Sequence, residues 1–314
     1  MKDFKRLLKR DRLYWLVMAG VMLWVTIKIL VEEYGFDHRL FDLSSFLEIS
    51  EYSYSLQEKY PELFEPRDVF YWEIPDFVLE SLIFEITQVV LFAQAIKIVL
   101  QENKNRTEVL RTFPVKSHSL LTYQYLSGVI LTCIPNLIAM TIILADTCYV
   151  EKNTNFIFIN KWETCIFPAK ALILFLMHYS LLILCRKVTN HIPGTVFTLV
   201  VAELGVWLAS INMDLFNVME ATVSIGGWVC MAILAVAFLV LSYIADWKKD
   251  DAKNGVYAFT IVHWFMMVVI FIEVNWMFDG IYENLPKAVV RLMAILVALF
   301  VTGGVHYIVK PKKM

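Results

Sequence analysis

The segment of the chain that decides its fold reads FVLESLIFEITQVVLFAQAIKIVL over residues 77–100, QENKNRTEVLRTFPVKSHSL over 101–120 and LTYQYLSGVILTCIPNLIAMTIILA over 121–145. The first and third parts are largely apolar, and each exceeds the roughly 20 residues that an α-helix needs to cross about 30 Å of hydrocarbon. Neither alternates polar with apolar residues as a barrel strand does, so both are predicted to be transmembrane helices. The polar middle part is too short to be a domain and joins the two spans on one side of the membrane.

Long apolar runs recur along the whole chain, which is 59% hydrophobic and 18% charged. Eight runs are candidate spans: Leu13–Val31, Phe77–Leu100, Leu121–Ala145, Ile166–Cys185, Pro193–Asn212, Val223–Ala245, Val256–Met277 and Ala288–Val309. No internal repeat, low-complexity segment or long linker separates them. The prediction is a single all-α polytopic membrane domain over residues 1–314, with about eight transmembrane helices.

Basic residues indicate which side of the membrane each loop faces, because cytoplasmic loops keep an excess of Lys and Arg. Of the 28 basic residues, 18 fall in five segments on one side. These segments are 1–12, 101–120, 186–192, 246–255 and 309–314. The long loop 32–76 on the other side holds 12 acidic and 3 basic residues. Both termini are therefore predicted to be cytoplasmic, and loop 32–76 to be extracellular, in a multi-pass protein of the plasma membrane.

Two segments outside the spans each have two interpretations. Residues 1–12 combine basic residues with Phe4, Leu7 and Leu8, and the following run lacks the small-x-small site of a cleaved signal peptide. They form either an amphipathic helical elbow in the inner headgroup layer or a disordered basic tail. The acidic loop 32–76 is either a solvated cap over the outer face or a surface that captures a cationic solute.

Several ionisable or polar residues fall inside the predicted spans, where they are costly and are therefore candidates for function. The predicted translocation pathway consists of Glu85, Gln88, His178 and Glu203. The alternative is structural, with Lys28 paired to Glu80 and His178 paired to Glu203 on a neighbouring helix. Both interpretations place polar groups in an otherwise apolar interior.

The sequence contains no complete catalytic or nucleotide-binding motif: no G-x-x-x-x-G-K-[ST], H-E-x-x-H, G-x-S-x-G or C-x-x-C. The five cysteines have no metal-ligand spacing, although Cys148 and Cys165 bracket an outer loop and could form a disulfide in an oxidising exterior. The scattered histidines make an intramembrane enzyme the least favoured class. Any work that the protein does would draw its energy from a partner or from an ion gradient.

The polar segment 101–120 contains the signals of a short helix. Asn105 and Glu108 have the spacing of a capping box, and Pro114 ends the helix after about two turns. Val109, Leu110 and Phe113, at positions i, i+1 and i+4, share an apolar face. A soluble partner could bind that face in a groove and pair with the charges beside it.

The stretch TEVLRTFPVKS (107–117), followed by YLSG (125–128) and an apolar span, resembles the cytoplasmic coupling region of type-2 ABC transporter permeases, the family that includes bacitracin-resistance and lantibiotic-immunity permeases. The resemblance implies that residues 106–116 form a coupling helix seated on a separate ATP-binding subunit. The implied contact residues are Arg106, Glu108, Val109, Leu110, Arg111, Phe113, Pro114 and Lys116.

This resemblance further implies a non-catalytic membrane subunit of a bacterial exporter, built on a six-helix core with two additional helices. Two copies of a soluble ABC ATPase would hold the ATP and Mg²⁺. This chain itself would bind neither. The permease would work as a homodimer or with a second permease, in contact with lipid and without nucleic acid. The expected substrate is amphiphilic, an antimicrobial peptide, drug or lipid. The competing expectation is a proton-coupled secondary transporter or channel that uses Glu85 and Glu203.

Overall fold

The computed structural model describes residues 2–36, 39–44, 46–48, 70–101, 117–189, 192–213, 215–217, 222–248, 257, 260–281 and 286–309. The predicted coupling helix, 106–116, lies outside the described residues, together with most of the acidic loop. The two long helices on either side of residues 102–116 are among the described residues.

Nine α-helices and four short strands make up the described chain. The helices are α1 (Lys2–Arg10), α2 (Arg12–Lys28), α3 (Asp76–Gln101), α4 (Ser117–Asn153), α5 (Lys161–Val188), α6 (Ile192–Asn212), α7 (Ile225–Trp247), α8 (Thr260–Ile281) and α9 (Lys287–Val309). The strands are β1 (Phe70–Trp72), β2 (Phe156–Phe158), β3 (Phe216–Asn217) and β4 (Thr222–Val223). After α2 the chain continues through a π-helical turn, Ile29–Glu33, and a 3-10 turn, Tyr34–Phe36.

Each of the eight predicted spans overlaps one of these helices, and the N-terminal segment 1–12 contains α1 as the helical interpretation expected. Within the described residues, six helices are long and apolar enough to cross a membrane. They cover Arg12–Glu33, Ser119–Asn153, Lys161–Val188, Ile192–Ile211, Ile225–Trp247 and Ile261–Asp279. The protein is therefore mostly helical with the features of a polytopic membrane protein, while the crossing of the membrane by α3 and α9 stays a prediction.

The chain divides into two compact units, residues 1–175 and 176–314, with the boundary inside α5. In the first unit α3 packs against α2 and α4, and α1 packs against α2 and α4. In the second unit α8 packs against α6 and α9. The prediction of a single membrane domain over 1–314 stays a prediction.

One buried stripe of α3 organises the first unit. It consists of Val78, Leu82, Ile86, Val90, Gln94 and Lys97, all at most 6% exposed. Residues four and then three positions apart lie on the same face of a helix, so the stripe turns one side of α3 to the interior. Its first four members are apolar, and its last two, nearest to residues 102–116, are polar. The helical period therefore carries Gln94 and Lys97 into the interior.

A small cap closes the opposite end of this unit, on the side that the charge distribution places outside. β1 pairs in parallel with β2, and Phe46 lies against Phe156 with ring centroids 5.0 Å apart. Asp146 on α4 is fully buried, and its carboxylate accepts hydrogen bonds from the Tyr34 hydroxyl at 2.8 Å and the Phe41 amide at 2.6 Å. The described part of the acidic loop is thus an ordered cap fixed to α4.

In the second unit, α6, α8 and α9 enclose an apolar core. Its buried members are Val201, Tyr257, Met266, Ile270 and Ala298. On the side that the charge distribution places inside, Lys187 at the end of α5 donates to the buried carboxylate of Asp246 at the end of α7, with Nζ 2.5 Å from Oδ1. This ion pair fixes the ends of two helices to each other within the unit.

Candidate functional site

A buried ionic cluster lies at the end of the α3 stripe. The Nζ atom of Lys97 is 3.0 Å from Oδ2 of Asp11, and these two side chains are 6% and 10% exposed. The same Nζ lies 4.4 Å from the ring centroid of Tyr14 and 4.8 Å from that of Tyr123. Aromatic faces attract a cation through their quadrupole, and the attraction strengthens when water is excluded. We refer to Asp11, Tyr14, Lys97 and Tyr123 as the Lys97 cluster.

The four members of the Lys97 cluster come from the N-terminal elbow, α2 and the two helices that border the polar segment. Asp11 stands between α1 and α2: its amide donates to the carbonyl of Leu7 and its carbonyl accepts from the amide of Trp15, both at 3.0 Å. Lys97 lies four residues before the end of α3 at Gln101, and Tyr123 lies in the second turn of α4. The cluster therefore ties the N-terminal elbow to both helices from which residues 102–116 extend.

Charges around Asp11 keep it ionised. Burial would raise the pKa of Asp11, but the hydrogen bond from Arg10, at 2.8 Å, and the nearby Lys97 ammonium outweigh it and lower the pKa below its ordinary value. A buried charge is costly unless it is paired and hydrogen-bonded. The ion pair of Lys97 with an ionised Asp11, together with the two aromatic rings, offsets that cost.

Further hydrogen bonds connect the cluster to a second polar layer. The indole Nε1 of Trp15 donates to the Tyr123 hydroxyl at 3.0 Å, and that hydroxyl lies 3.5 Å from the carbonyl of Leu7. Deeper in the unit, Gln94 donates to the hydroxyl of Ser127 at 3.0 Å, and Ser127 donates to the carbonyl of Gln124. α3 and α4 are thus joined by buried polar contacts on two successive turns before the polar segment.

The sequence interpretation missed Lys97, although it contained a signal. A lysine three residues before the end of an apolar run resembles an ordinary boundary residue whose side chain reaches the headgroups. The α3 stripe distinguishes the two cases, because Lys97 follows Val90 and Gln94 on the same face. A lysine at a core position of a long apolar helix requires a buried partner.

The predicted pathway residues of the first unit lie in a different setting. Lys28 contacts Glu85, with Nζ 3.8 Å from Oε2, and the two side chains are 35% and 41% exposed. The predicted pairing of Lys28 with Glu80 is wrong, because Glu80 lies five residues, or about 7.5 Å, closer to the start of α3. Gln88 is exposed.

In the second unit, the predicted contact of His178 with Glu203 is confirmed. Nδ1 of His178 on α5 lies 2.8 Å and 2.9 Å from the two carboxylate oxygens of Glu203 on α6. The side chains are 30% and 32% exposed, so the pair lies at a half-open position in the middle of two long helices. A pathway that joins this pair to Glu85 stays a prediction, since the two pairs belong to different units.

The cysteines offer no covalent link or metal site within the described residues. Cys148 on α4 and Cys165 on α5 are exposed and both are free thiols, so the structure does not contain the disulfide that their positions allowed. They lie on separate helices, each at the helix surface. Among the described residues, no group of three His, Cys, Asp or Glu side chains could hold a metal ion.

Comparisons with known proteins add no relative. No protein-family model matches the chain, and neither a curated protein nor a solved structure matches it significantly. The resemblance to ABC permeases therefore depends on residues 107–117 and 125–128, together with the order of the helices.

Proposed function

We propose that this chain is the membrane-spanning permease subunit of an ATP-driven ABC exporter. The observation that supports this most is the Lys97 cluster, which ties the elbow to both helices flanking the segment that resembles a coupling helix. A segment that receives force from a soluble motor must be joined rigidly to the spans that the force has to move. A simple connecting loop would not need a buried lysine before its start that contacts an aromatic ring just after its end.

In this proposal two ATPase subunits dock on the coupling segments of two permease chains. When ATP brings the ATPases together, each coupling segment moves, and the Lys97 cluster transfers the movement to α2, α3 and α4. The apolar face of Val109 and Phe113 would be held in a groove of the ATPase, with Arg106 and Arg111 paired to acidic groups. ATP and Mg²⁺ stay in the partner, so this chain performs no chemistry.

The proposed substrate is amphiphilic, an antimicrobial peptide, a drug or a lipid. Two partly exposed contacts, the ion pair of Lys28 with Glu85 and the contact of His178 with Glu203, place polar groups along helices that are otherwise apolar. The excess of acidic residues in loop 32–76 favours a cationic peptide. Removal of such a peptide from the membrane would protect the cell that makes or meets it.

The proposal is tested by purifying the protein from its native membrane and identifying co-purified proteins with a Walker A motif. The variant Arg111→Glu with Phe113→Ala is expected to lose at least about 90% of that ATPase, since one charged and one apolar contact are removed. The matched control is Lys248→Glu with Trp247→Ala, which alters an exposed basic and aromatic pair at the end of α7. Unchanged association in the first variant, or equal loss in both, contradicts the proposal.

A second function, proton-coupled secondary transport, is favoured by the contact of His178 with Glu203. A histidine and a carboxylate within hydrogen-bonding distance can exchange a proton near neutral pH. This function predicts transport that follows the pH gradient and continues after ATP depletion. ATP-driven export predicts the reverse, so one transport assay with each energy source separates the two.

A further inference from the structure

Glu273 occupies a core position of α8. Met266, Ile270 and Glu273 are spaced four and then three residues apart and are 3%, 4% and 6% exposed. This spacing puts all three on one face of the helix, where Met266 and Ile270 pack in the apolar core formed with α6 and α9. Glu273 therefore places a carboxyl group at a position of α8 where the apolar face would otherwise continue with an aliphatic side chain.

A glycine on α6 makes room for this carboxyl. A Cβ atom at Gly205 would lie 2.8 Å from Oε1 of Glu273 and 3.6 Å from Cγ1 of Val269. The first distance is shorter than such contacts normally are, so any other residue at this position would displace the carboxyl. Gly205 thus forms a notch in the surface of α6, and the carboxyl of Glu273 fills that notch.

No charged partner compensates this buried carboxyl among the described residues. Oε1 of Glu273 is buried and accepts no hydrogen bond. On α6 the charged residue is Glu203, which contacts His178, and on α9 the described cationic side chains, Lys287 and Arg291, are exposed. On α8 itself, Asp279 accepts from Asn275 at 3.2 Å, and His263 lies ten residues away beside Tyr257.

We propose that Glu273 is a proton-binding site within the membrane domain. The side chain is held as a neutral carboxyl while it is packed against Gly205, and it exchanges its proton with water when α6 and α8 move apart. An isolated carboxylate is too costly in apolar surroundings to persist there without a cation, whereas the neutral acid fits.

A neutral carboxyl in an apolar setting has a specific reactivity toward dicyclohexylcarbodiimide. The carboxyl proton moves to one carbodiimide nitrogen, and a carboxylate oxygen bonds to the central carbon to give an O-acylisourea. The acyl group then migrates to nitrogen and yields a stable N-acylurea. No group leaves, so the modified peptide gains the whole mass of the reagent. An ionised or water-exposed carboxylate does not accumulate this product.

The test treats the full-length protein in membranes with dicyclohexylcarbodiimide and locates the adduct by peptide mass spectrometry. Expected are labelling of Glu273, at least tenfold less adduct in Glu273→Gln, and no reduction in Glu203→Gln. Labelling is also expected to fall as the pH is raised from about 5 to about 9, because an exchanging site then loses its proton. A Glu273 that stays unlabelled, or whose labelling does not change with pH, contradicts the proposal.

Gly205→Ala supplies a second measurement. Ala is favoured over Gly in a helix, so the variant is expected to fold. Its Cβ displaces the carboxyl from the apolar interface toward water, where the N-acylurea does not accumulate, so several-fold slower labelling of Glu273 is expected. A labelling rate equal to that of the unmodified protein would contradict the role of the Gly205 notch. Neither experiment depends on an ATPase partner, so their failure would leave the proposed export function standing.

Discussion

Lys97 and Glu273 are equally buried, each 6% exposed within a long apolar helix, but their surroundings differ. Lys97 lies 3.0 Å from an ionised Asp11 and between two aromatic rings. Glu273 lies against Gly205 with no compensating charge among the described residues. A buried charge that is paired with a counter-ion fixes helices in place, whereas an acid without a partner can lose or gain a proton. The Lys97 cluster is therefore a structural joint between helices, and Glu273 is a proton site.

The largest expected effect follows from breaking the joint. Asp11→Asn leaves the Lys97 ammonium buried with no anion, which costs about 3–5 kcal/mol of the free energy of unfolding. A large decrease in thermal unfolding temperature in detergent would show it. Asp11→Asn combined with Lys97→Met removes both charges and is expected to recover most of the loss. If the single variant is as stable as the unmodified protein, Lys97 is not held by Asp11.

The same joint predicts a smaller dependence on pH. The pKa of Asp11 is lowered in the folded protein, so its ionised form contributes stability above the unfolded pKa of about 3.9. That contribution is lost as the pH falls through the lower folded pKa. The stability difference between the unmodified protein and Asp11→Asn should therefore shrink below about pH 4, as measured by unfolding at a series of pH values. A constant difference would contradict the assignment.

The exposed ion pair of Lys28 with Glu85 is expected to contribute much less stability than the buried pair of Asp11 with Lys97. Lys28 and Glu85 are 3.8 Å apart and more than a third exposed, so Lys28→Met with Glu85→Gln should change the free energy of unfolding by about 0.5–1 kcal/mol. The same unfolding assay measures this change. A loss as large as that of Asp11→Asn would mean that burial does not distinguish the two pairs.

The smallest effect on stability is expected at Glu273. Gln replaces a neutral carboxyl with a neutral group of similar shape, so Glu273→Gln should change the free energy of unfolding by less than about 0.5 kcal/mol. A loss of several kcal/mol in the unfolding assay would instead indicate an ionised carboxylate with a partner.

Hydropathy alone predicted the long helices, because each corresponds to a run of apolar residues that is longer than any elsewhere in the chain. The contact of His178 with Glu203 was also predicted, since two polar residues at mid-span on consecutive helices have few other partners. Lys28 was given the wrong carboxylate because two candidates, Glu80 and Glu85, lie on neighbouring turns of α3. Choosing between them requires the relative heights of α2 and α3, which a single sequence does not contain.

Sequence reasoning missed the Lys97 cluster for a different reason than it misplaced the partner of Lys28. Its members come from three segments, around residues 11–14, 97 and 123, and each resembles an ordinary residue at a membrane boundary. These residues form a buried ionic cluster only because the fold brings the three segments into contact. Asp146 is a similar case, because its partners Tyr34 and Phe41 precede it by more than 100 residues.

The most direct test of the proposed export function is a cross-link from the polar segment that is proposed to couple to an ATPase. A thiol-directed photo-cross-linker on Phe113→Cys in native membranes should attach to a soluble protein that carries a Walker A motif. The matched variant Trp247→Cys, exposed at the end of α7, should give at least tenfold less of that product. A Phe113→Cys protein that cross-links to no such ATPase, or no more than Trp247→Cys does, would contradict the proposal that this chain is an ABC permease subunit.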